Sequence, residues 1–352
     1  MDYPLFYSLL TLALLGFTVL YSASGQDVDT VIRQGARLGI GILVMFILAQ
    51  VTPDTLRHWS PWCYTFGMLM LIAVLFVGET GKGAQRWLDI GVVRFQPSEL
   101  MKIAVPMMVA WFVSERPLPP RFGWLCLAAA LVVLPTLLIA QQPDLGTALL
   151  VASAGLFVLF LAGMRWRVML GISVLGAAGL PVLWHFMHDY QRTRVMTLLN
   201  PESDPLGAGY HSIQSKIAVG SGGTFGKGWL NGTQSQLDFL PERSTDFIFA
   251  VFGEEFGFLG ALGLISLYMF IVGRGLYIAV TAQGSYMRLL AGSLSLTFFI
   301  YLVVNIGMVI GLLPVVGVPL PLMSYGGTSL VTLLAAFGIL MSAQAHKRLL
   351  SG

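Results

Sequence analysis

Long apolar runs dominate this chain of 352 residues. Each run is close to the roughly 20 residues that an α-helix needs to cross the hydrocarbon core of a bilayer. They begin near Leu5, Ile32, Trp62, Ser98, Phe122, Leu145, Val168, Phe247, Leu289 and Ser329. Backbone groups in lipid must be hydrogen-bonded within the segment, and runs without strict alternation favour helices over a barrel. The sequence therefore predicts an all-α, polytopic integral membrane protein with about ten transmembrane helices.

The composition also indicates a membrane protein. Hydrophobic residues make up 56% of the chain and charged residues 11%, whereas about a quarter of the residues in a soluble globular protein are charged. The basic residues are dispersed and the net charge is only +3, so no nucleic-acid partner is predicted. Cys63 and Cys126 fall in or beside apolar runs, which favours two small core residues over a disulfide or a metal pair.

A glycine-rich run, GSGGTFGKG from Gly220 to Gly228, looks like a phosphate-binding loop but lacks its spacing. Ser221 stands where the first glycine of such a loop belongs, and Gly228 replaces its Ser or Thr. No nucleotide is therefore predicted as a ligand.

The basic residues predict the orientation of the chain. With the N-terminus in the cytoplasm, the inner segments carry Arg57, Arg116, Arg121, Arg165, Arg167, Arg274, Arg288, Lys347 and Arg348. This arrangement obeys the positive-inside rule, and both termini are predicted to be cytoplasmic. The chain then forms a single membrane domain over residues 1–352, with a large extracytoplasmic loop over residues 189–245 between the seventh and eighth helices.

Several basic residues on the outer side depart from that rule. The short loop from Gly78 to Pro97 holds Lys82, Arg86 and Arg94, and the long loop holds Arg192, Arg194, Lys216, Lys227 and Arg243. Long loops are exempt from the rule, but short ones are not. As a set these cations favour a ligand that bears phosphate. For any single residue, pairing with Glu79 or Asp89, or contact with lipid headgroups, is the alternative.

Ionisable residues also lie within the predicted helices, where they usually mark function because charges are costly in lipid. Asp246 lies at the mouth of the eighth helix, and Glu254 follows about two turns further in. The predicted topology puts Glu99 and Lys102 in the outer half of the fourth helix and Asp144 at the outer start of the sixth. Together they predict a polar cavity that opens outward, although each alone could belong to a structural ion pair.

A stripe of small residues follows Asp246 along the eighth helix. Ala250, Gly253, Gly257 and Gly260 all fall on the same helical face. Such a stripe either packs closely against a neighbouring element or leaves room for a lipid tail.

The last outer loop, from Leu312 to Ser329, is apolar and contains three prolines. It ends with Gly326 and Gly327 at the start of a helix, where backbone N–H groups could be offered to phosphate.

Four motifs resemble the SEDS family (shape, elongation, division and sporulation) over nearly the whole chain. They are VRFQPSELMKIA from Val93, QQPDLGTALL from Gln141, GTQSQLDFLPERSTDFIFAVFGEEFG from Gly232 and NIGMVIGLLPVVGVPLPLMSYGGTS from Asn305. The last is similar to the family signature throughout. The short segment before the first helix resembles the elongation branch of the family.

The resemblance implies a GT-C-like membrane glycosyltransferase of the bacterial inner membrane. Its expected activity is polymerisation of lipid II, a disaccharide-pentapeptide on undecaprenyl diphosphate, into peptidoglycan strands during cell elongation. The expected partners are a class B penicillin-binding transpeptidase and other membrane proteins of the elongation complex. The essential loop aspartate of the family matches Asp246. The predicted substrate-binding residues are Glu99, Lys102, Arg86, Arg94, Asp144, Arg192, Arg194, Lys216 and Glu242.

The chemistry of sugar transfer agrees with these assignments. An acceptor hydroxyl must lose its proton as it attacks the anomeric carbon, and the leaving diphosphate develops negative charge. Asp246 is the candidate general base, and the outer cations are candidates for holding the diphosphate. The resemblance also suggests a divalent metal ion, Mg or Mn, with Glu254 or Asp144 as ligands.

Two other functions are alternatives to sugar transfer. A lipid II flippase would also use buried charges and proline-broken helices, but it needs polar groups through both leaflets, whereas the charges here cluster in the outer half. A pure scaffold leaves the intramembrane carboxylates without a role.

Overall fold

Helices make up most of the protein in a computed structural model that describes residues 2–81, 84–89, 94–186, 189–200, 209–237, 239–240 and 242–346. In chain order the elements are α1 (Tyr3–Ala23), α2 (Val28–Gln50), α3 (Pro53–Val77), β1 (Glu79–Gly81), β2 (Ala84–Asp89), β3 (Arg94–Phe95), α4 (Pro97–Ser114), α5 (Phe122–Gln141), α6 (Leu145–Leu161), α7 (Trp166–Phe186), α8 (Asp189–Leu199), α9 (Tyr210–Ser221), α10 (Thr233–Gln236), α11 (Ile248–Thr281), α12 (Ser285–Val309) and α13 (Thr328–Ala345).

Each of the ten predicted apolar segments coincides with one of these helices. Seven of the described helices are long and apolar enough to cross a membrane, namely α1, α2, α3, α5, α11, α12 and α13, and α6 is a shorter apolar helix. The prediction of an all-α polytopic membrane protein is therefore confirmed.

Local capping explains where several helices begin. Asp2 accepts a hydrogen bond from the Leu5 amide at the start of α1, and Thr52 does the same for the Thr55 amide at the start of α3. Such side chains satisfy amides that have no partner within the helix. Pro97 opens α4 at a position where its missing N–H costs nothing. Capping residues thus determine where these helices begin, which the hydropathy of the sequence does not specify.

α12 is the central helix of the bundle. It packs against α4, α6, α11 and α13, while α13 also packs along α2. The interior consists of aliphatic and aromatic side chains from these helices, such as Tyr268 and Phe298, whose ring centroids are 5.7 Å apart. The residues that approach the outer end of α12 are therefore well placed to meet in one region.

The outer loop after α3 forms a small antiparallel sheet that the sequence did not predict. β1 pairs with β2, and β2 pairs with β3, so that Asp89 lies opposite Arg94. Lys82 of the same loop lies outside the described residues. The sheet connects α3 to α4 and brings Arg86 close to the start of α6, as the contacts below make clear.

The large outer loop contains the three helices α8, α9 and α10. α9 packs on α11 and on the end of α12, where the Ser215 hydroxyl donates to the Val309 carbonyl at 2.8 Å. The small residues Ser212, Ser215 and Ala218 form the buried face of α9. Its exposed residues include Ile217, which is 45% exposed.

α11 is broken at Gly257, where φ is 67° and ψ is −166°. A helix break frees backbone groups that need new partners. The run from Gly222 to Gly228 supplies them, because Lys227 N donates to the Glu254 carbonyl at 3.0 Å and Phe258 N donates to the Gly223 carbonyl at 2.9 Å. The glycine-rich run that looks like a phosphate loop is therefore the hydrogen-bonding partner of a broken membrane helix.

The same contact decides between the two interpretations of the small-residue stripe. A Cβ on Gly222 would lie 2.1 Å from the Gly253 carbonyl oxygen, and a Cβ on Gly257 would lie 2.2 Å from Gly226 N. Two backbones meet here without intervening side chains. The stripe after Asp246 packs against protein and leaves no room for a lipid tail along these residues.

Candidate active site

Asp246 lies in the turn that leads into α11, and the backbone around it is held at three consecutive carbonyl groups. Tyr325 N donates to the Ser244 carbonyl at 2.8 Å, the Ser324 hydroxyl to the Thr245 carbonyl at 2.5 Å, and Asn305 Nδ2 to the Asp246 carbonyl at 2.9 Å. We call Asn305, Ser324 and Tyr325 the carbonyl clamp. It fixes the backbone on which the aspartate side chain is carried.

Asn305 also ties the last outer loop to the same point. Its Nδ2 group donates to the Val318 carbonyl at 2.8 Å, and its Oδ1 atom is buried without a hydrogen-bond partner. The Asp246 side chain is partly exposed, and its Oδ2 atom lies 3.5 Å from the position that a Cβ on Gly317 would occupy. The family-signature loop thus surrounds the aspartate.

This corrects the expected role of the signature loop. The Tyr325 amide points to the Ser244 carbonyl, and the Gly326 amide donates to Gln34 Oε1 at 3.3 Å. These two N–H groups position the aspartate loop and α2, so they are not available for phosphate. The prolines keep the backbone of the signature loop rigid, which suits a segment that holds the aspartate loop in place.

Glu99 and Lys102 form a buried ion pair on α4. Lys102 Nζ lies 2.6 Å from Glu99 Oε1, and both side chains are less than a tenth exposed. Lys102 Nζ also lies 5.2 Å from the centroid of the Tyr301 ring on α12, within range of a cation–π contact. Beside the pair is a cavity of about 20 Å³, lined in part by Lys102, Thr297 and Thr332, which is large enough for one water molecule.

Asp144 lies at the start of α6, where it has two roles. Its Oδ1 atom caps the helix by accepting from the Thr147 amide at 3.1 Å. Its Oδ2 atom accepts from Gln96 Nε2 at 2.8 Å and lies 3.8 Å from Arg86 Nη1. Arg86 in turn donates to the Pro143 carbonyl at 2.6 Å. Asp144 therefore caps α6 and also belongs to a charged cluster with Arg86, one of the predicted cations.

Two contacts connect these groups to the aspartate loop. Tyr301 and Asn305 are one helical turn apart on α12, so they share a face. A Cβ on Gly146 of α6 would lie 2.7 Å from the Val316 carbonyl oxygen, one residue before Gly317. Segment 316–318 therefore lies among the starts of α6 and α11 and the outer end of α12. The structure brings Asp246 and the start of α6, which carries Asp144 and contacts Arg86, to this segment. The buried pair is connected to it through Tyr301, which packs with Val318.

The other predicted substrate-binding residues lie further from segment 316–318. Arg192 Nε donates to the Trp184 carbonyl at 3.1 Å, and Lys216 lies over Gly311, at the end of α12. Arg194 and Glu242 both act electrostatically on His211. Arg94 is in β3, where its backbone lies opposite Asp89 of β2.

His211 is a residue near the site that the sequence did not single out. Its ring stacks on Phe247, the neighbour of Asp246, with centroids 5.8 Å apart. Burial lowers the pKa of His211, Arg194 lowers it further, and Glu242 opposes the shift. Its buried Nδ1 atom has no hydrogen-bond partner. Only the tertiary packing of α9 on α11 brings it here, so no local sequence signal could have identified it.

Glu254 has a different environment from the other predicted residues. Its Oε1 atom lies 2.7 Å from Lys227 Nζ and accepts from the Gln234 amide at 2.9 Å, and its Oε2 atom accepts from the Ser235 amide at 3.3 Å. The carboxylate therefore anchors α10 and the glycine-rich run. This is the arrangement of a structural anchor rather than of a metal ligand.

The described residues contain no group of three His, Cys, Asp or Glu side chains arranged to hold a metal ion. Mg²⁺ is commonly held by one or two carboxylates together with substrate phosphates, and Asp246 and Asp144 have the chemistry for such a shared site. The divalent metal stays a prediction, and no step below passes through it.

The geometry is suited to proton removal beside a phosphate-bearing group. A partly exposed carboxylate on a fixed backbone can accept a proton from a hydroxyl that reaches it. Cations supplied by other elements, such as Arg86, can stabilise negative charge on an oxygen nearby. The site lies at the ends of membrane helices, where a ligand with a lipid tail can place its polar part.

Comparison with known proteins places the whole chain in one group. The model of the FtsW/RodA/SpoVE family, described as a cell cycle protein, matches residues 3–349. The peptidoglycan glycosyltransferase MrdB of Escherichia coli strain K12 is 56% identical over 346 residues, which cover 97% of this chain and 94% of that protein. The stage V sporulation protein E of Bacillus subtilis is 36% identical and covers 96% and 95%, respectively.

Solved structures have the same fold. A chain from a structure of a peptidoglycan synthase complex, described as coordinating polymerization and crosslinking, aligns with a TM-score of 0.86 and 31% identity over 99% of both chains. The crystal structure of the rod shape determining protein RodA of Thermus thermophilus aligns with a TM-score of 0.75 and 31% identity, covering 99% of this chain and 98% of that one.

Proposed function

This chain belongs to the FtsW/RodA/SpoVE family, and we propose that it is a peptidoglycan glycosyltransferase that polymerises lipid II. Relatives that are 56% and 36% identical to this chain carry the name peptidoglycan glycosyltransferase, which supports the activity. The chain is a multi-pass bacterial membrane protein, and the substrate must therefore be reached from a bilayer. A sugar on a lipid diphosphate meets this requirement.

The proposed reaction joins two lipid-linked sugars. Asp246 takes the proton from an acceptor hydroxyl as its oxygen bonds to the anomeric carbon of the donor sugar. The bond from that carbon to the diphosphate oxygen breaks at the same time, and the diphosphate leaves with the electron pair. Attack opposite to the leaving group inverts the anomeric configuration. The diphosphate is itself the activated leaving group, so no nucleotide is required.

The observation that carries this proposal is the carbonyl clamp around Asp246. Asn305, Ser324 and Tyr325 come from two regions of the chain, and they hold three consecutive carbonyls. A catalytic base needs such support, because misplacement by about 1 Å can cost about 100-fold in rate. The signature motif of the family therefore acts through the position of Asp246.

The outer cations are proposed to stabilise the diphosphates. Arg86 is partly exposed and lies beside Asp144, so its guanidinium is held in place while part of it stays accessible. A planar guanidinium suits the two acceptor oxygens of a phosphate. Lys102 is buried with Glu99, which suits a role in shaping the cavity. A divalent metal would add to the charge on this side of the site.

The orientation of the chain in the membrane and its protein partner are also part of this proposal. Both termini lie in the cytoplasm, which puts Asp246 on the outer side of the inner membrane. The similar chain in the peptidoglycan synthase complex supports a complex with a class B penicillin-binding transpeptidase. Elongation-complex membrane proteins would be further partners.

The decisive experiment is polymerisation of lipid II by purified protein. We expect Asp246→Asn to abolish strand formation, because an amide cannot accept the proton at neutral pH, while thermal unfolding stays unchanged. Thr245→Ser serves as the matched control, since its carbonyl contact to Ser324 is kept. Assays with and without EDTA test the divalent metal. Strand synthesis by a folded Asp246→Asn protein at the normal rate would refute the base assignment.

A further inference from the structure

Arg37 is a cation within the membrane helix α2 that has no role in the site described so far. Its Nη1 atom is buried and has no hydrogen-bond partner, and no ion pair with it occurs among the described residues. An ionisable residue in a membrane span is costly and usually functional. The residue as a whole is partly exposed.

The guanidinium of Arg37 is held at the signature loop. Its Cζ atom lies 4.6 Å from the centroid of the Tyr325 ring, which is a cation–π contact. One turn earlier, Gln34 donates to the Ser324 carbonyl at 3.1 Å and accepts from the Gly326 amide at 3.3 Å. These contacts fix α2 against the loop and leave Arg37 with donors that lack acceptors.

The surface beside Arg37 is open. No atom lies within 4 Å of the place that a Cβ on Gly327 would occupy, and a Cβ on Gly326 would meet only the Ser324 carbonyl oxygen, at 3.8 Å. α13 begins at the next residue without a side-chain cap. A cation with an unpaired donor therefore lies beside the exposed start of α13.

Arg37 is connected to the aspartate loop through different residues than the buried ion pair. Arg37 connects through Tyr325 to Ser244, two residues before Asp246. Lys102 connects through Tyr301 and α12 instead. α2 and α4 both pack on α13 and have no extensive contact with each other. The two cations thus belong to separate helices that both pack on α13.

We propose that Arg37, beside the exposed start of α13, binds the phosphate of a lipid, and that this lipid is the second lipid-linked sugar of the reaction. The assignment of the lipid rests on the proposed function. Polymerisation brings two diphosphates to one site, because the donor diphosphate leaves while the acceptor keeps its own. A planar guanidinium with free donors matches phosphate oxygens. The second source of the same chemistry is the headgroup of an anionic phospholipid.

The test measures lipid binding and kinetics on the full-length protein. Native mass spectrometry with undecaprenyl diphosphate, phosphatidylglycerol or phosphatidylcholine gives the affinities, and strand synthesis gives KM and kcat for lipid II. We expect Arg37→Gln to weaken binding of undecaprenyl diphosphate about tenfold or more and to raise KM, while kcat changes little. Arg37→Lys keeps the charge and should restore part of the affinity. The matched control is Arg165→Gln, which removes an exposed arginine.

Each outcome decides part of the proposal. Weaker binding of phosphatidylglycerol alone would retain a lipid-phosphate site but refute the substrate assignment. Unchanged affinity for both lipids together with an unchanged KM would overturn the proposal. If Arg37→Gln does not fold, Tyr325→Leu removes the cation–π contact but keeps the backbone bond to Ser244, and it should lower the same affinities. The binding results stand even if the wild-type protein makes no strands, which separates this test from that of the proposed function.

Discussion

The role of a single residue in this protein depends on what holds it. Asp246 has its backbone fixed by groups that are about 60 to 80 positions later in the chain, whereas Glu254, eight residues further on, serves as an anchor. Both are acidic residues at the outer end of α11. Their different roles follow from their neighbours, because a carboxylate whose oxygens are already occupied by donors has little capacity left for a substrate or metal ion.

Asn305 offers a test of the carbonyl clamp. Asn305→Ala leaves the Asp246 and Val318 carbonyls without this donor, which costs about 1–3 kcal/mol for each buried group. We expect kcat to fall by about 10- to 100-fold with a smaller change in KM, as measured by strand synthesis. Asn231→Ala, an exposed asparagine of the outer loop, should leave both unchanged. An Asn305→Ala enzyme with normal kcat would show that the clamp does not position the base.

The buried pair of Glu99 and Lys102 permits a separation of stability from activity. Removing one partner leaves an unpaired charge, which costs about 3–5 kcal/mol, while removing both is often close to neutral. We expect Lys102→Met alone to lower Tm and the double change Glu99→Gln with Lys102→Met to recover most of it. If the pair serves catalysis, the double variant stays slow despite its restored Tm. Recovery of activity together with Tm would assign the pair a structural role only.

Among the elements, the broken helix α11 shows how a membrane helix can lose its regular backbone hydrogen bonds and still be stable. The break at Gly257 requires a positive φ of 67°, a conformation that glycine adopts at little cost. The glycine-rich run then supplies donors and acceptors to the freed groups. Irregular backbone at membrane depth is tolerated only where protein or water satisfies it, and two glycine-rich segments meet that need together.

Two glycines of α11 should respond in opposite ways to alanine. Gly257→Ala would place a Cβ 2.2 Å from Gly226 N and strain a left-handed residue, so we expect a loss of at least about 2 kcal/mol of stability. At Gly263 no atom lies within 4 Å of the added Cβ, and Gly263→Ala should be neutral or stabilise by up to about 1 kcal/mol. Thermal unfolding in detergent measures both. Equal Tm values would contradict the close backbone contact.

For the whole molecule, hydropathy was sufficient to predict the ten helical segments, and the family was confirmed from its motifs. The ionisable residues within the predicted helices also pointed to Asp246, Asp144 and the pair on α4, and their roles in the site stay predictions. Three features escaped prediction because they depend on tertiary contacts: the small sheet after α3, the partnership between the glycine-rich run and α11, and the stacking of His211 on Phe247. The sequence indicates which polar residues are energetically costly in lipid, but it does not indicate which neighbouring groups form the contacts that offset this cost.

The proposed orientation of the molecule can be tested by cysteine labelling. In a background with Cys63→Ala and Cys126→Ala, Phe225→Cys replaces a residue that is 80% exposed in the large outer loop. We expect a membrane-impermeant maleimide to label it in intact spheroplasts. Arg121→Cys, at the exposed start of α5, should react only after permeabilisation. The reverse pattern would place Asp246 in the cytoplasm and exclude peptidoglycan synthesis at this site.

The carbonyl clamp has a consequence for biosynthesis. All three of its donors follow residue 300, whereas the carbonyls that they fix precede residue 247. A nascent chain that has emerged only as far as its aspartate lacks the groups that orient it. We therefore expect the aspartate to be oriented for catalysis only after α12 and the loop that follows it have been synthesised and have folded against it.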